Sequence, residues 1–445
     1  VGMGSGAIVA DEALNRNWKV AIVEEGPFGG TCLNRGCIPS KMLIHSADVV
    51  ETVRTSETFG IKSRIERIDF QRIVKRVTST IDSWAAEGEE RYKKNPNVEI
   101  FKERGRFIEN KVMQIGDKEI SGKKIVIAAG SRPAVPPIKG IEKVPYVTSD
   151  QALRLSKQPE ELTIIGGGYI SAELAHFFGS LGTRINIIQR GSLLIPNEDK
   201  ELAKTFTEIF KKRYNVVLEH NTESVSYEKG RFSVVAAGND GSRKTFVSDQ
   251  LLVATGRVPN SDLLDVEKTG VEVNERGFIK VNEYMETTSL GIWALGDIAG
   301  KFLLKHAANL EAEYVAKNMA GKRIAVDYTA MPNAIFSSPQ VAAVGMTEDD
   351  LIEKKIPYAK GYYKYNDTAM GTAIEDNVGY VKVLADPKTK RILGCHIIGS
   401  DASTLIHEVI VAMKYANSVE SVLESVHVHP ALSEVVQMAF YSIKW

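Results

Sequence analysis

Two stretches of the chain share one alternation of apolar and polar positions. In LTIIGGGYISAELAHFFGSLGTRINIIQR (162–190) an apolar run meets a glycine cluster, a helix-like stretch follows, and a second apolar run closes the unit. Short apolar runs bounded by turn residues fit buried strands. The segment Gly2-Met3-Gly4-Ser5-Gly6-Ala7 opens in the same way, followed by an apolar helix-like stretch and the strand KVAIVE at 19–24. The strand that should precede those glycines is not in the sequence, so a short N-terminal strand is expected to be missing. Segment 51–97 is charge-rich and full of helix formers, which predicts surface helices. RILGCHIIG at 391–399 reads as a strand. Leu405, Ile406, Val409, Ile410 and Met413 recur at helical spacing, a stripe that buries in a core or against a partner. No low-complexity tract or long linker appears.

Composition narrows the class. The 445 residues are 43% hydrophobic and 25% charged, and 56 basic residues balance 56 acidic ones. This length predicts about three domains. Zero net charge leaves no electrostatic footprint for nucleic acid or an acidic membrane. No uncharged apolar run approaches the roughly 18 residues of a transmembrane helix. Neither nucleic acid nor a membrane is an expected partner. Three cysteines exclude a disulfide-stapled secreted scaffold. With no signal or transit segment visible, a cytoplasmic location is expected.

Gly2, Gly4, Gly6 and Ala7 fit G-x-G-x-x-[GA], in which the glycines make a tight turn and let a pyrophosphate approach a helix N-terminus. Glu24 stands at about the spacing of a carboxylate that binds a ribose 2′-hydroxyl. Gly166, Gly168 and Ser171 take the fingerprint places in the second unit. Two such units imply two nucleotides, a flavin and a nicotinamide. The second unit ends in Gln189 and Arg190, where an NAD site wants an acid. An Arg pairs with a 2′-phosphate that a carboxylate would repel, so this site leans towards NADP; as a solvated loop residue Arg190 would have no such role.

Between the units lies GGTCLNRGCIPSK (29–41) with Cys32 and Cys37. Residues five apart in an α-helix have Cα atoms about 8.7 Å apart, whereas a disulfide tolerates less than about 7 Å. For the two to join, the segment must leave a regular helix, with Gly36 and Pro39 as breakers. A cytosolic disulfide of this kind suits catalysis better than structure; half a zinc site or two unrelated thiols are the other readings. Cys395 stands alone and reads as a small core residue. No metal site is expected.

The 29–41 segment resembles the redox-active motif of the pyridine nucleotide–disulfide oxidoreductases, the flavoprotein family of glutathione reductase, dihydrolipoyl dehydrogenase and mycothione reductase. The likeness runs through the chain. IAAGSRP (127–133) and LLVATGRVPN (251–260) resemble the crossover segments, TSLGIWALGD (288–297) the second flavin motif, and HVHPALSEVV (427–436) the C-terminal His–Glu motif. The resemblance implies an α/β fold with two Rossmann-like domains, for FAD and NAD(P), plus a C-terminal α+β dimerisation domain. It places the FAD domain at 1–145 and 258–330, the NAD(P) domain at 146–257 and the dimerisation domain at 331–445.

The resemblance also implies roles. NAD(P)H reduces FAD, and the flavin reduces a Cys32–Cys37 disulfide. Cys37 is then the thiolate beside the flavin and Cys32 the thiol that attacks a small-molecule disulfide. Lys41 and Glu173 pair near the flavin, and Tyr169 covers the nicotinamide pocket. His429, from the partner subunit of a homodimer, is the acid/base for Cys32, oriented by Glu434. An unperturbed thiol is mostly protonated at neutral pH, so a base is needed. Pro430 suits a helix start, which would put Glu434 about a turn along. Asp297 holds the ribityl chain. Gly30, Thr31, Ala129, Gly130, His306 and Ala307 join the FAD contacts, and Ile170 and Gly256 the NAD(P) contacts.

Among family members, GSRPAVPP, NSDLLD, LLKHAAN and HPALSEVV look most similar to mycothione reductase, while His427 resembles the HxHP arrangement of dihydrolipoyl dehydrogenase. The ending AFYSIKW lacks the C-terminal cysteines of mercuric reductase and high-molecular-weight thioredoxin reductase. A glutathione-type second Arg is absent, with Pro196 near its place. The expected activity is NADPH-driven reduction of a low-molecular-weight disulfide. NAD-dependent oxidation of dihydrolipoamide is the alternative within the family, and a non-catalytic nucleotide-binding subunit the alternative outside it.

Overall fold

A computed structural model describes all 445 residues. In the second glycine-turn unit, strand Glu161–Ile165 lies between Arg184–Ile188 and Gln250–Val253, with Asn215–Val217 outside, all parallel. Their continuous Ile, Leu and Val runs suit strands buried on both faces. An antiparallel meander of His220–Glu228, Arg231–Gly238 and Arg243–Ser248 extends this unit.

The first unit repeats the plan with longer insertions. Strand Val20–Val23 pairs in parallel with Val98–Phe101, and Ile125–Ile127 with Ile292–Ala294. Between the first two strands run the helices Gly30–Arg35, Cys37–Thr55 and Phe70–Lys93. The last begins at Asp69, whose side chain accepts the Arg72 N–H, a local bond that satisfies one free helix donor. The expected surface helices over 51–97 are therefore the end of one helix and the whole of another. The connections between the units pair with each other, Ser131–Pro133 antiparallel to Arg257–Pro259.

The C-terminal part is a five-stranded antiparallel sheet ordered Pro332–Ile335, Gln340–Gly345, Ile392–Gly399, Tyr380–Ala385, Ala359–Lys364. Cys395 is fully buried in it. Helix Ala402–Tyr415 buries Leu405, Ile406, Val409 and Met413 in the core of this part, so that stripe faces inwards. No helix is long and apolar enough to cross a membrane. One apolar core joins the parts: Leu43 and Ala47 of the helix after Cys37 meet Ala172 and Phe177 of the second unit, and Ile335 and Tyr380 of the C-terminal sheet. Close packing in this shared core holds side chains from three regions in fixed relation.

Candidate active site

The first glycine turn is defined by what it excludes. Gly2 has φ +91°, and a Cβ there would lie 2.3 Å from Ala128 O. Gly30, at φ +63°, would bring a Cβ within 2.8 Å of the Gly4 Cα. Bare backbone at both positions lets the two turns touch and leaves the N-terminus of helix Gly6–Asn15 open to an anion. Glu24 accepts the N–H groups of Met3 at 2.8 Å and Gly26 at 2.9 Å. A cavity of about 430 Å³ runs from Glu24 along Gly2, Gly4 and Ser5, past Thr31, Ala129, Gly130 and Asp297, to Cys37, Lys41, Tyr169 and Ile170.

Cys32 and Cys37 face this cavity from two helices separated at Gly36, which has φ −145° and ψ −121°. A Cβ on Gly36 would come within 2.9 Å of Thr31 O. Gly36 is the breaker; Pro39 instead sits inside the first turn of helix Cys37–Thr55, where its missing N–H costs no helical bond. No disulfide joins the two cysteines here, and each thiol is the largest influence on the other's titration. The Cys32 hydrogen bond, opposed by burial and helped by Lys41, brings Cys37 down to about 7. The same bond, with burial, pushes Cys32 up. Cys37 also opens its helix, where the dipole favours a thiolate.

Lys41 and Glu173 meet: Nζ donates to both carboxylate oxygens, at 2.7 and 2.9 Å. Glu173 is buried, and its Oε1 also accepts the Phe336 N–H at 3.0 Å. Lys41 Nζ lies 4.7 Å from the centroid of the Phe336 ring. The pair thus ties the redox helix to the second unit and to the C-terminal sheet.

Other residues come to the site unannounced. Ser131 Oγ donates to Asp297, while Arg257 Nε donates to Ser131 Oγ at 2.7 Å and lies 3.6 Å from Asp297. Both stand in the crossover motifs, beside the small residues singled out there. Glu311 is fully buried and accepts Gly296 N–H at 2.6 Å and Tyr328 O–H at 2.8 Å, which fixes the turn carrying Asp297. Burial pushes the Glu311 carboxyl up to about 7. His306 and Ala307 do not line the cavity: the His306 ring contacts Pro332 O at 2.8 Å, and Ala307 is fully buried. Lys305 and Ala308, one turn apart on the same helix, present the cavity face. Gly6 and Ala7 likewise fall outside the lining, being already inside their helix.

The second turn repeats the first. Gly166 has φ +111°, and its Cβ would lie 2.3 Å from Ala254 O. Gly168 caps helix Tyr169–Ser180 with open space beside it, and Gly256 at φ +121° is equally open. Gln189 is buried against Gly167, and its Nε2 donates to Leu193 O at 3.1 Å. Arg190, next in the chain, is exposed.

His429 and Glu434 come together on the C-terminal part, His429 Nδ1 lying 2.8 Å from Glu434 Oε1. The other carboxylate oxygen accepts the Ala431 N–H, and these contacts hold the carboxyl below its ordinary range. Helix Glu434–Tyr441 starts at Glu434 rather than at Pro430, which follows a cis peptide bond. The His429 side chain is 75% exposed and does not line the cavity of the cysteines. His427 Nε2 bonds Glu408 at 2.8 Å behind it. Around this loop Tyr415, Val426, Val428 and Tyr441 are exposed apolar side chains.

A family model described as pyridine nucleotide-disulphide oxidoreductase matches residues 1–317, and one for the dimerisation domain of that family matches 331–440. The chain belongs to the pyridine nucleotide-disulphide oxidoreductases. Mycothione reductase of Mycobacterium tuberculosis (strain H37Rv) is 38% identical over 457 residues, covering 100% of this chain and 98% of the relative. Dihydrolipoyl dehydrogenase of Corynebacterium glutamicum is 34% identical, covering 100% and 97%. Among solved structures, the HOCl-induced flavoprotein disulfide reductase RclA from Escherichia coli superposes with a TM-score of 0.88 at 28% identity, covering 100% of this chain and 99% of that one. The α/β architecture with a dimerisation domain is that of the family. Its members are FAD-containing and use NAD(P)H; the cavity at the first turn, with bare glycines, a helix N-terminus and Glu24, fits a flavin dinucleotide.

Proposed function

We propose that this oxidoreductase uses NADPH to reduce a low-molecular-weight disulfide, as a cytoplasmic homodimer with sites shared between subunits. The observation that carries the reading is the Cys32–Cys37 pair at a helix N-terminus, with the thiolate favoured on Cys37 and the neutralised Lys41–Glu173 pair beside it. Glu24 and the glycine turn hold the FAD, and Asp297, braced by Ser131 and Arg257, holds its ribityl chain. FAD supplies the path for an electron pair from nicotinamide to sulfur. Tyr169, at the mouth of the cavity, covers the nicotinamide pocket.

Cys32 attacks the substrate disulfide. His429 of a second copy takes its proton and returns it to the departing thiolate, held by Glu434 in the orientation the 2.8 Å contact gives; Cys37 then displaces the second half of the substrate from Cys32 and re-forms the Cys32–Cys37 disulfide. Its 75% exposure fits a residue completed by another subunit, and the exposed apolar residues around it suit that contact. Arg190 faces solvent as the cation for a 2′-phosphate, with an amide rather than an acid at Gln189.

Dihydrolipoyl dehydrogenase activity is the second reading, favoured by His427 of the His-x-His-Pro segment, which pairs with Glu408 of helix Ala402–Tyr415. Steady-state turnover with NADPH and NADH against a panel of disulfides, and with dihydrolipoamide and NAD⁺, separates the two. NADPH-dependent disulfide reduction is the expected result. A preference for dihydrolipoamide with NAD⁺ reverses the order.

A further inference from the structure

Six basic side chains line the redox cavity, and five of them meet a carboxylate: Arg35 with Asp150, Lys41 with Glu173, Arg104 with Glu25, Arg132 with Asp262 and Arg257 with Asp297. Lys305 has none. Its Nζ donates to Ser5 Oγ at 2.9 Å, and that hydroxyl gives its own proton to Asn309 Oδ1 at 2.9 Å, so it offers a lone pair but no counter-charge.

The position works against a cation in two further ways. Lys305 is the first residue of helix Lys305–Met319, where the dipole is positive. It is also half-buried, and lost hydration pulls the ammonium below its ordinary range. The influences that pull it back are Cys32 and Cys37. A desolvated cation at a helix N-terminus, without a carboxylate, is costly unless an anion arrives beside it.

The reaction proposed above delivers one. Hydride from the nicotinamide carries two electrons and one proton. Passed to the oxidised pair, it breaks the Sγ–Sγ bond, leaves a thiol on Cys32 and a thiolate on Cys37, and releases the oxidised nucleotide. The cysteine pair thereby gains one negative charge. Resting on that reading of the site, we propose that Lys305 is the counter-ion for the charge that reduction places on Cys37, and so sets how readily the pair is reduced.

The other groups around the sulfurs do not supply this charge. Lys41 favours the Cys37 thiolate but its partner Glu173 opposes it, Tyr169 is a neutral phenol, and Arg257 and Asp297 pair with each other. At the effective dielectric of protein sites, one unpaired charge lining the same cavity shifts such an equilibrium by about tenfold, roughly 1.4 kcal/mol.

The test uses FAD-loaded protein carrying Lys305→Met or Lys305→Arg. Two quantities are read: the midpoint pH of the Cys37 thiolate after two-electron reduction, and the equilibrium of the pair against NADPH/NADP⁺. Lys305→Met should raise the thiolate midpoint by about one pH unit and disfavour reduction about tenfold, and Lys305→Arg should restore both. Unchanged values in Lys305→Met overturn the proposal. So does weakened or lost FAD binding with an unshifted thiolate, which would assign the cation to the dinucleotide phosphates. If the wild-type protein forms no thiolate on reduction, the reductase reading fails instead.

Discussion

Gly2 and Gly166 occupy equivalent turns. Each donates its N–H to the end of the neighbouring strand at 2.9 Å, Gly2 to Val23 O and Gly166 to Ile188 O. Each would place a Cβ 2.3 Å from a carbonyl, that of Ala128 or Ala254. The turns diverge one strand later. Glu24 accepts two backbone N–H groups and presents its carboxylate to the cavity, whereas Gln189 folds back on Leu193 O and leaves Arg190 outside. The shared backbone makes a site for a dinucleotide. On the proposed reading the closing residue decides which one, because a carboxylate and a guanidinium meet a ribose hydroxyl and a 2′-phosphate with opposite energies.

Breaking either backbone should give the largest effect and show that the sites are separable. Gly2→Val should yield protein without flavin, read as the absorbance ratio of flavin to protein. Gly166→Val should keep the flavin but raise the KM for nicotinamide nucleotide by about 100-fold or more, since a Cβ against backbone at positive φ costs several kcal/mol. Flavin loss in both variants would mean that the units do not act separately.

Changing the closing residues should give less. Arg190→Ala should raise the KM for NADPH by about 10- to 100-fold, the range of a charge-assisted hydrogen bond, with NADH turnover little changed. Equal loss with both nucleotides would remove Arg190 from the phosphate site. Glu24→Gln should weaken FAD binding by roughly tenfold in a fluorescence titration, without altering the choice of nucleotide.

The pH dependence separates the cysteines more finely. Cys37 titrates at about 7, lower than an ordinary thiol, so its thiolate is present above that pH and is lost as pH falls through it. Alkylation of the reduced protein should follow a midpoint near 7 that Cys37→Ser removes. A midpoint near 8.5 would show that the Cys32 hydrogen bond does not hold the proton as described.

Much of this site was legible along the chain, because glycine turns, the cysteine spacing and the His–Glu motif are local patterns with local physical causes. The Lys41–Glu173 pair came through family resemblance and is met by the geometry. What escaped is long-range or depends on helix phase. Arg257 reaches Ser131 across 126 residues, and no periodicity in either segment announces it. At the start of helix Lys305–Met319 the motif points to His306 and Ala307, whereas the side chains that line the cavity are those of Lys305 and Ala308. Helix Glu434–Tyr441 begins later than Pro430 suggested, yet the carboxylate still reaches the imidazole, through a loop rather than along a helical face.

On the proposed reading electrons pass from the nucleotide through bound flavin to the Cys32–Cys37 pair and rest as a thiolate on Cys37. Anaerobic reduction of the FAD-loaded protein by one equivalent of NADPH, followed by absorbance spectroscopy, tests it most directly. A long-wavelength thiolate–flavin band that Cys37→Ser abolishes is the predicted result. Bleaching of the flavin with no such band would contradict it.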